Sequence, residues 1–406
     1  MATRKNRELP AAIGKLFATG VVTAFAVILA SCGGSGGGGG GGGSQEGEPV
    51  RVGVILPYSG VYSQLGEDIT EAMELYFEER DMEVAGRPVE IITEDTEADP
   101  QVGVQAARRL VEQEGVDVLT GAVATPVAYG AIDLTQRDNI PFIISNATGN
   151  DATRQGAENV FRVSASSFQV SNAMGEYLVN EGIEEVVVSA ADYAAGEEMS
   201  AGFVEGFEGA GGEVIDTVNA PLGTNDYSSF LTNIRGQEPA GVWSFYAGSD
   251  AVRFVQQYSE FGLEAPLFGT GYLTDADTLE AQGEAAVGVR TSLHYSPDLD
   301  NPENEEFQSS FQEAYDREAS VYAVQGWDAA WLIGEAIAAT EGDTEDKDAL
   351  IAAMEEVEFE SPRGPMELDE NHNPVQNIYI REVQEVDGDM APVVLDTIED
   401  IGDPGE

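Results

Sequence analysis

Five short polar turns carry the residue types able to hold a small molecule, and each follows an apolar run. In Gly121-Ala122-Val123-Ala124-Thr125-Pro126 a hydroxyl precedes a proline. That spacing predicts a helix start with Thr125 as N-cap and Pro126 as the first helical residue. A helix start offers unpaired backbone N–H groups and the positive end of the peptide dipoles, which suits a carboxylate. Ser145-Asn146-Ala147-Thr148 adds hydroxyl, amide and carbonyl groups at the next strand end. Asp192-Tyr193-Ala194-Ala195-Gly196, Tyr246-Ala247-Gly248-Ser249 and Gly269-Thr270-Gly271-Tyr272 set tyrosines beside glycines. A tyrosine has a flat apolar body and a polar tip, the shape wanted for a solute wedged between two surfaces. Capping and packing use the same residues; two polar turns at adjacent strand ends strengthen the case for Thr125, and the tyrosine turns fit a site and interlobe packing equally well.

Other chemistry is excluded by count. The 406 residues hold two histidines, His294 and His372, and one cysteine, Cys32. A His/Cys metal centre, a nucleophilic dyad and an intrachain disulfide are therefore not expected, and no metal or cofactor is implied. Acids outnumber bases 74 to 19, so a carboxylate pair of the glycosidase kind is available by number alone. No segment isolates such a pair, and the chain is not expected to be an enzyme. A formal net charge of −55 makes nucleic acid a poor partner, since phosphate binding needs Lys and Arg. Spread over the whole chain, the acids read as the surface of a protein from a salty environment, where ions screen self-repulsion.

Arg4, Lys5 and Arg7 precede an apolar run, Leu16 to Ala30, that ends in Leu29-Ala30-Ser31-Cys32. A basic start, a short apolar stretch and small residues at a cut form the plan of a signal peptide, residues 1–31. The run falls short of the ~20 apolar residues that span a bilayer. Its end resembles a lipobox, which implies lipidation of Cys32 as the new amino terminus. Residues 32–48, with the Gly36–Gly43 run, then form a flexible tether reaching roughly 20–24 Å. The expected location is outside the cytoplasm, at the cell surface or in the periplasm, with the anchor as the membrane contact. Beyond Cys32 the chain holds 15 basic and 73 acidic residues, a net charge of −58, and Lys347 is the only lysine.

To position those turns the chain alternates apolar runs with amphipathic ones. Val50–Leu56, Val89–Thr93, Val116–Leu119 and Pro141–Ile144 read as strands, separated by helices over Leu65–Glu83, from Asp99-Pro100, and over Pro126–Asp138. A second series runs through strands Val186–Ser189, Val214–Val218, Val242–Tyr246 and Leu267–Gly269, with helices Glu197–Ala210, Tyr227–Arg235 and Asp250–Phe261 between them. Three helices and three strand-like segments follow. Alternation of this kind predicts an α/β fold with parallel sheets and right-handed crossovers, doubly wound in two lobes. Ligands of such sheets sit beyond the carboxyl ends of the strands.

Several segments together resemble the type I periplasmic solute-binding proteins, the leucine/isoleucine/valine-binding branch of the ABC transporters. Val52-Gly53-Val54-Ile55-Leu56-Pro57 with Ser59-Gly60 and Leu65-Gly66 is similar to that family's opening. The stretches Asp95–Ala107, Gly121–Pro126, Ile144–Thr148, Phe161-Arg162, Asp192-Tyr193 with Gly196, Tyr246–Ser249, Gly262-Leu263 and Ser361–Pro365 agree in order and spacing. The likeness covers about residues 49–400. It implies a non-enzymatic binding protein, expected to act as a monomer, that closes two lobes on a small solute of branched-chain amino acid type and delivers it to an ABC permease. The lobes would be 49–162 with 294–364 and 163–293 with 365–406, joined by three crossovers. The turns at Thr125 and at Asn146 and Thr148 would hold the ligand's carboxylate and amino group, Leu65, Tyr193 and Tyr322 would lie along its side chain, and the turn with Tyr246 and Ser249 would belong to the same wall. The acid that pairs with an α-ammonium in the family falls on Gly271 here. Asp192 and Asp275 are the candidates to replace it, or else the ligand is an amide or an aromatic or aliphatic carboxylate. A sensory ligand-binding module is the remaining alternative.

Overall fold

A computed structural model describes residues 47–154, 157–386 and 388–405; the signal segment, Cys32 and the glycine run lie outside the described residues. The first sheet is built from β1 (Val50–Leu56), β2 (Glu83–Val84), β3 (Arg87–Asp95), β4 (Val118–Gly121), β5 (Phe142–Ile144) and β6 (Val160–Arg162). Its order is β2-β3-β1-β4-β5-β6, parallel except for the short β2–β3 pair. β4, β5 and β6 are buried along their whole length, as strands covered by helices on both faces must be.

The second sheet comprises β7 (Glu185–Asp192), β8 (Glu213–Thr217), β9 (Ala220–Pro221), β10 (Gly241–Phe245), β11 (Leu267–Thr270), β12 (Arg290–Leu293), β13 (Met366–Leu368), β14 (Pro374–Val386) and β15 (Asp389–Ile401). The main path runs β13-β14-β12-β11-β10-β7-β8, with β15 on β14 and β9 on β7. Pairing is parallel from β8 to β12 and antiparallel where β14 joins β12, β13 and β15.

The chain passes three times between these sheets: after β6, after β12, and between the helix Lys347–Glu355 and β13. Two wholly buried arginines fasten the passages. Arg363, in the third, binds Asp328 of the helix Val321–Ala339 (Nε to Oδ2, 2.9 Å). It also donates to the carbonyls of Val163 and Ser164 in the first passage and to Gln376 Oε1 on β14 (2.8 Å). Arg381 on β14 reaches the Tyr295 carbonyl in the second passage (2.8 Å) and pairs with Asp275 at 3.4 Å. The lone lysine beyond Cys32, Lys347, is spent in the same way: its Nζ donates to the Asp117 carbonyl at 2.8 Å and is 20% exposed.

The alternation of strands and helices expected from sequence is present, with differences in detail. Asp99 caps its helix as expected, accepting from Gln101 and Val102 N–H. Thr125 does not cap: the cap is Ala124 and Thr125 is the first helical residue. The helix Ser167–Asn180 and strands β6 and β12 were not anticipated. That helix is rich in Ser, Asn and Gly, and Gly175 is there for contact: a Cβ would lie 2.4 Å from the Phe207 nitrogen of the neighbouring helix. A capping box, Ser166 with Gln169, is its one local signal.

Removing one partner of a buried ion pair leaves the other charge uncompensated. Asp328→Ala is therefore expected to cost about 3–5 kcal/mol in guanidinium unfolding. The double variant Asp328→Leu/Arg363→Met should recover part of that loss.

Candidate functional site

Between the carboxyl ends of the two sheets lies a narrow cavity of ≈ 20 Å³, lined by Tyr62, Leu65, Val123, Asn146, Thr148, Tyr193, Ala195, Phe245, Ala247, Tyr272 and Tyr322. Five of the eleven lining residues are aromatic. Tyr272 stacks on Tyr322 (centroids 5.9 Å, 26° between planes) and meets Phe245 edge-on at 6.3 Å. Tyr193 stacks beside Phe245 at 6.3 Å. The Tyr62 hydroxyl donates to that of Tyr193 at 3.1 Å, joining the two sides.

The polar part comes from one turn. Thr148 Oγ1 accepts from Ser167 Oγ (2.9 Å), which leaves its own hydrogen to donate. Asn146 Nδ2 donates to Gln325 Oε1 at 2.8 Å. Beneath the turn, wholly buried Arg162 gives its guanidinium to the carbonyls of Thr148 and Gly149. It forms no ion pair among the described residues, and burial lowers its pKa.

Five helices begin at this cavity. Tyr62, Tyr193 and Ala247 are the N-caps of Ser63–Glu78, Ala194–Gly209 and Gly248–Phe261; Val123 immediately precedes the Ala124 cap of Thr125–Asp138; Tyr322 is in the first turn of Val321–Ala339. The first four starts have no side-chain cap. Their amide dipoles point positive ends at one small space. Among the described residues no Asp, Glu, Lys or Arg lines it. Desolvation raises the phenol pKa values, Tyr193 to about 12 and Tyr62 well above its ordinary value, so the tyrosines stay neutral donors.

Of the residues expected from sequence, Leu65, Asn146, Thr148, Tyr193 and Tyr322 come together on this wall. Thr125 does not reach it. Its side chain packs against Gly149, and its buried Oγ1 has no partner among the described residues. Tyr246 points away: its ring stacks on Phe254 (4.4 Å) and its hydroxyl pairs with Ser189 (2.9 Å) in the core under β10. Strand residues alternate faces, so its neighbours Phe245 and Ala247 take the wall instead. Ser249 is likewise elsewhere, its Oγ accepting from Arg253 at 3.1 Å.

Neither candidate for the missing acid is on the wall. Asp192 is exposed, and Asp275 is held by Arg381 and by the Val321 N–H at 2.7 Å. At Gly271 no side chain fits: a Cβ would stand 2.3 Å from Arg381 Nη2 and 2.4 Å from Leu293 Cβ. Sequence reasoning missed Tyr62, Val123, Ala195, Phe245 and Ala247 as wall residues, and it quoted Tyr272 among the tyrosines suited to a solute without making it a site residue. Apolar types give no chemical signal of their own, although their places beside the named turns do.

A family model described as periplasmic binding protein matches residues 49–389. The Leu/Ile/Val-binding protein homolog 6 of Brucella melitensis is 33% identical over 365 residues, 88% of this chain and 93% of that protein. Among solved structures, a solute-binding protein of an ABC transporter from R. palustris, in complex with benzoate, is 37% identical. Its TM-score is 0.83, over 87% of this chain and 98% of that one. A solute-binding protein of an ABC transporter from Rhodopseudomonas palustris BisB5, in complex with 3,4-dihydroxybenzoic acid, is 32% identical with a TM-score of 0.84, over 88% and 99% of the two chains.

Overpacking of this degree costs about 1–3 kcal/mol. Gly271→Ala is expected to lower stability by that amount in chemical denaturation, with Leu293 and Arg381 forced to move.

Proposed function

This chain belongs to the periplasmic binding protein family, as a solute-binding protein of an ABC transporter, and from that premise we propose that its solute is an aromatic carboxylate. The observation that carries this reading is the meeting of four uncapped helix starts at a cavity whose wall has five aromatic rings and no acid. An anion gains there from the converging dipoles and from the Arg162 charge behind the Thr148 turn. An α-ammonium would be buried without a carboxylate partner, which is costly. The amino-acid reading is thus the weaker one for this chain. Relatives seen with benzoate and with a dihydroxybenzoic acid point the same way.

In this reading the Thr148 hydroxyl donates to the carboxylate, and the ring lies among Tyr193, Phe245, Tyr272 and Tyr322. Residues 49–162 with 294–364 act as one lobe and 163–293 with 365–406 as the other, closing on the solute because the closed state binds it better. Closure is helped from outside the cavity by Glu198, which accepts from the Tyr129 hydroxyl (2.8 Å) and from the Asn150 N–H (2.5 Å). The permease receives the solute from the closed form. Lipidation of Cys32 holds the protein at the outer face of the membrane, and the acidic surface is suited to high salt.

A thermal-shift screen in molar KCl tests the ligand class. A ligand at 100 times its Kd adds about 2.7 kcal/mol. Benzoate or a hydroxybenzoate should raise the Tm while leucine, isoleucine and valine leave it unchanged; stabilisation by the amino acids alone would sink the proposal. Thr148→Ala is expected to weaken carboxylate binding by about 1–3 kcal/mol in calorimetry, the range for a hydrogen bond to a buried charge. Without ligand, the Tm should climb as KCl rises from about 0.1 M to about 2 M, because screening relieves the self-repulsion of 73 acids.

A further inference from the structure

One buried polar chain leads away from the cavity and has no part in the scheme above. Asn146, on the wall, donates its Nδ2 hydrogen to Gln325 Oε1 at 2.8 Å. Gln325, wholly buried in the helix Val321–Ala339, places Nε2 3.2 Å from His294 Nε2. An amide nitrogen has hydrogens and no lone pair to offer, so the imidazole nitrogen facing it must be the acceptor. The proton of a neutral His294 then sits on Nδ1. That nitrogen is buried and meets no hydrogen-bond partner among the described residues, so the contact with Gln325 is the ring's one hydrogen bond there.

Charge supports the neutral form. His294 lies wholly buried, and Arg363 and Arg381 add repulsion to the cost of desolvation, holding its pKa well below the ordinary imidazole value. Ring contact fixes the imidazole as well: Tyr272, itself on the wall, stands edge-on to it at 6.5 Å. One wall residue, Asn146, is thus joined through a single glutamine to a histidine outside the cavity.

We propose that His294 is a positioning residue of the solute site: as the Nδ1-protonated tautomer it fixes the amide direction of Gln325 and, through it, that of Asn146. His294 follows β12 in the second passage between the sheets, and Gln325 belongs to the helix packed on the first. The chain therefore ties the orientation of a wall amide to the passage about which the lobes move. This inference rests on the cavity being the solute site, but its spectroscopic test does not depend on which solute is bound.

The test uses the full chain labelled with ¹⁵N-histidine, in which His294 and His372 are the only imidazoles. His294 is expected to show a protonated Nδ1 and a bare Nε2, and to stay neutral where the ordinary imidazole takes up its proton. Gln325→Glu replaces the donor by a carboxylate and should move a proton onto His294 Nε2. With benzoate as probe, His294→Leu is expected to weaken binding roughly 10- to 100-fold, and His294→Gln, which keeps an acceptor in reach, to restore most of it. A protonated Nε2 in the unaltered chain, or wild-type affinity in His294→Leu, would overturn the proposal. Should the unaltered chain not bind benzoate, the aromatic-carboxylate reading fails, while the nitrogen shifts of the chain and of Gln325→Glu still decide the tautomer. If His294→Leu does not fold, the Gln325→Glu spectrum decides in its place.

Discussion

A guanidinium with no access to water has to find every hydrogen-bond acceptor inside the protein, and Arg363 does so by gathering segments that the sequence holds far apart. Its partners are Asp328, the Val163 and Ser164 carbonyls and Gln376. The first passage, the third passage, a helix of the first sheet and a strand of the second are thereby fixed at one point. Arg381 repeats the arrangement for the second passage through the Tyr295 carbonyl and Asp275. Two sheets that share no strand are positioned by these two charges, and the cavity between their carboxyl ends follows from that positioning. A buried ion pair is a poor source of net stability; here its effect is geometric, since the donors of an arginine are planar and fixed.

Beyond Cys32 the chain has 15 cations among 73 acids, and it uses few of them where an anion would bind. Arg162 stays one layer behind the wall, on the carbonyls of the Thr148 turn. In the proposed reading, attraction for a negative group comes instead from helix starts left without side-chain caps. Backbone dipoles are fixed by the fold and are shielded from salt inside a cavity, whereas a lysine on a flexible stem is strongly hydrated and titrates when buried. In concentrated salt that difference matters, because exposed charges lose their reach within a few ångströms.

The alternation of strands and helices was legible because buried parallel strands are runs of β-branched residues, as in Val50–Leu56. The helix Ser167–Asn180 was not, since its residues are chosen for contact with the neighbouring helix and not for propensity. In the site, Asn146 and Thr148 could be seen because polar groups clustered in a short turn need partners. Tyr246 shows the limit of the same reasoning. The turn was located correctly, but a strand sends alternate residues to opposite faces, and a shift of one place puts Phe245 and Ala247 at the wall. Thr125 shows another: a Thr-Pro pair marks a helix start to within one residue, and that residue decides whether a hydroxyl caps, packs or faces a ligand. Gln325 and His294 lie in segments with no local polar pattern, so their link to Asn146 exists only in three dimensions.

The single lysine beyond Cys32 has one further consequence. Lys347 opens the helix Lys347–Glu355 and clasps the Asp117 carbonyl before β4. A lysine-specific protease therefore finds one cleavage point beyond Cys32, and that point is shielded while the helix stays docked. Digestion yields two fragments at a rate set by local opening of this corner, not by global unfolding. The scarcity of lysine turns an ordinary protease into a gauge of one helix's attachment to the first sheet.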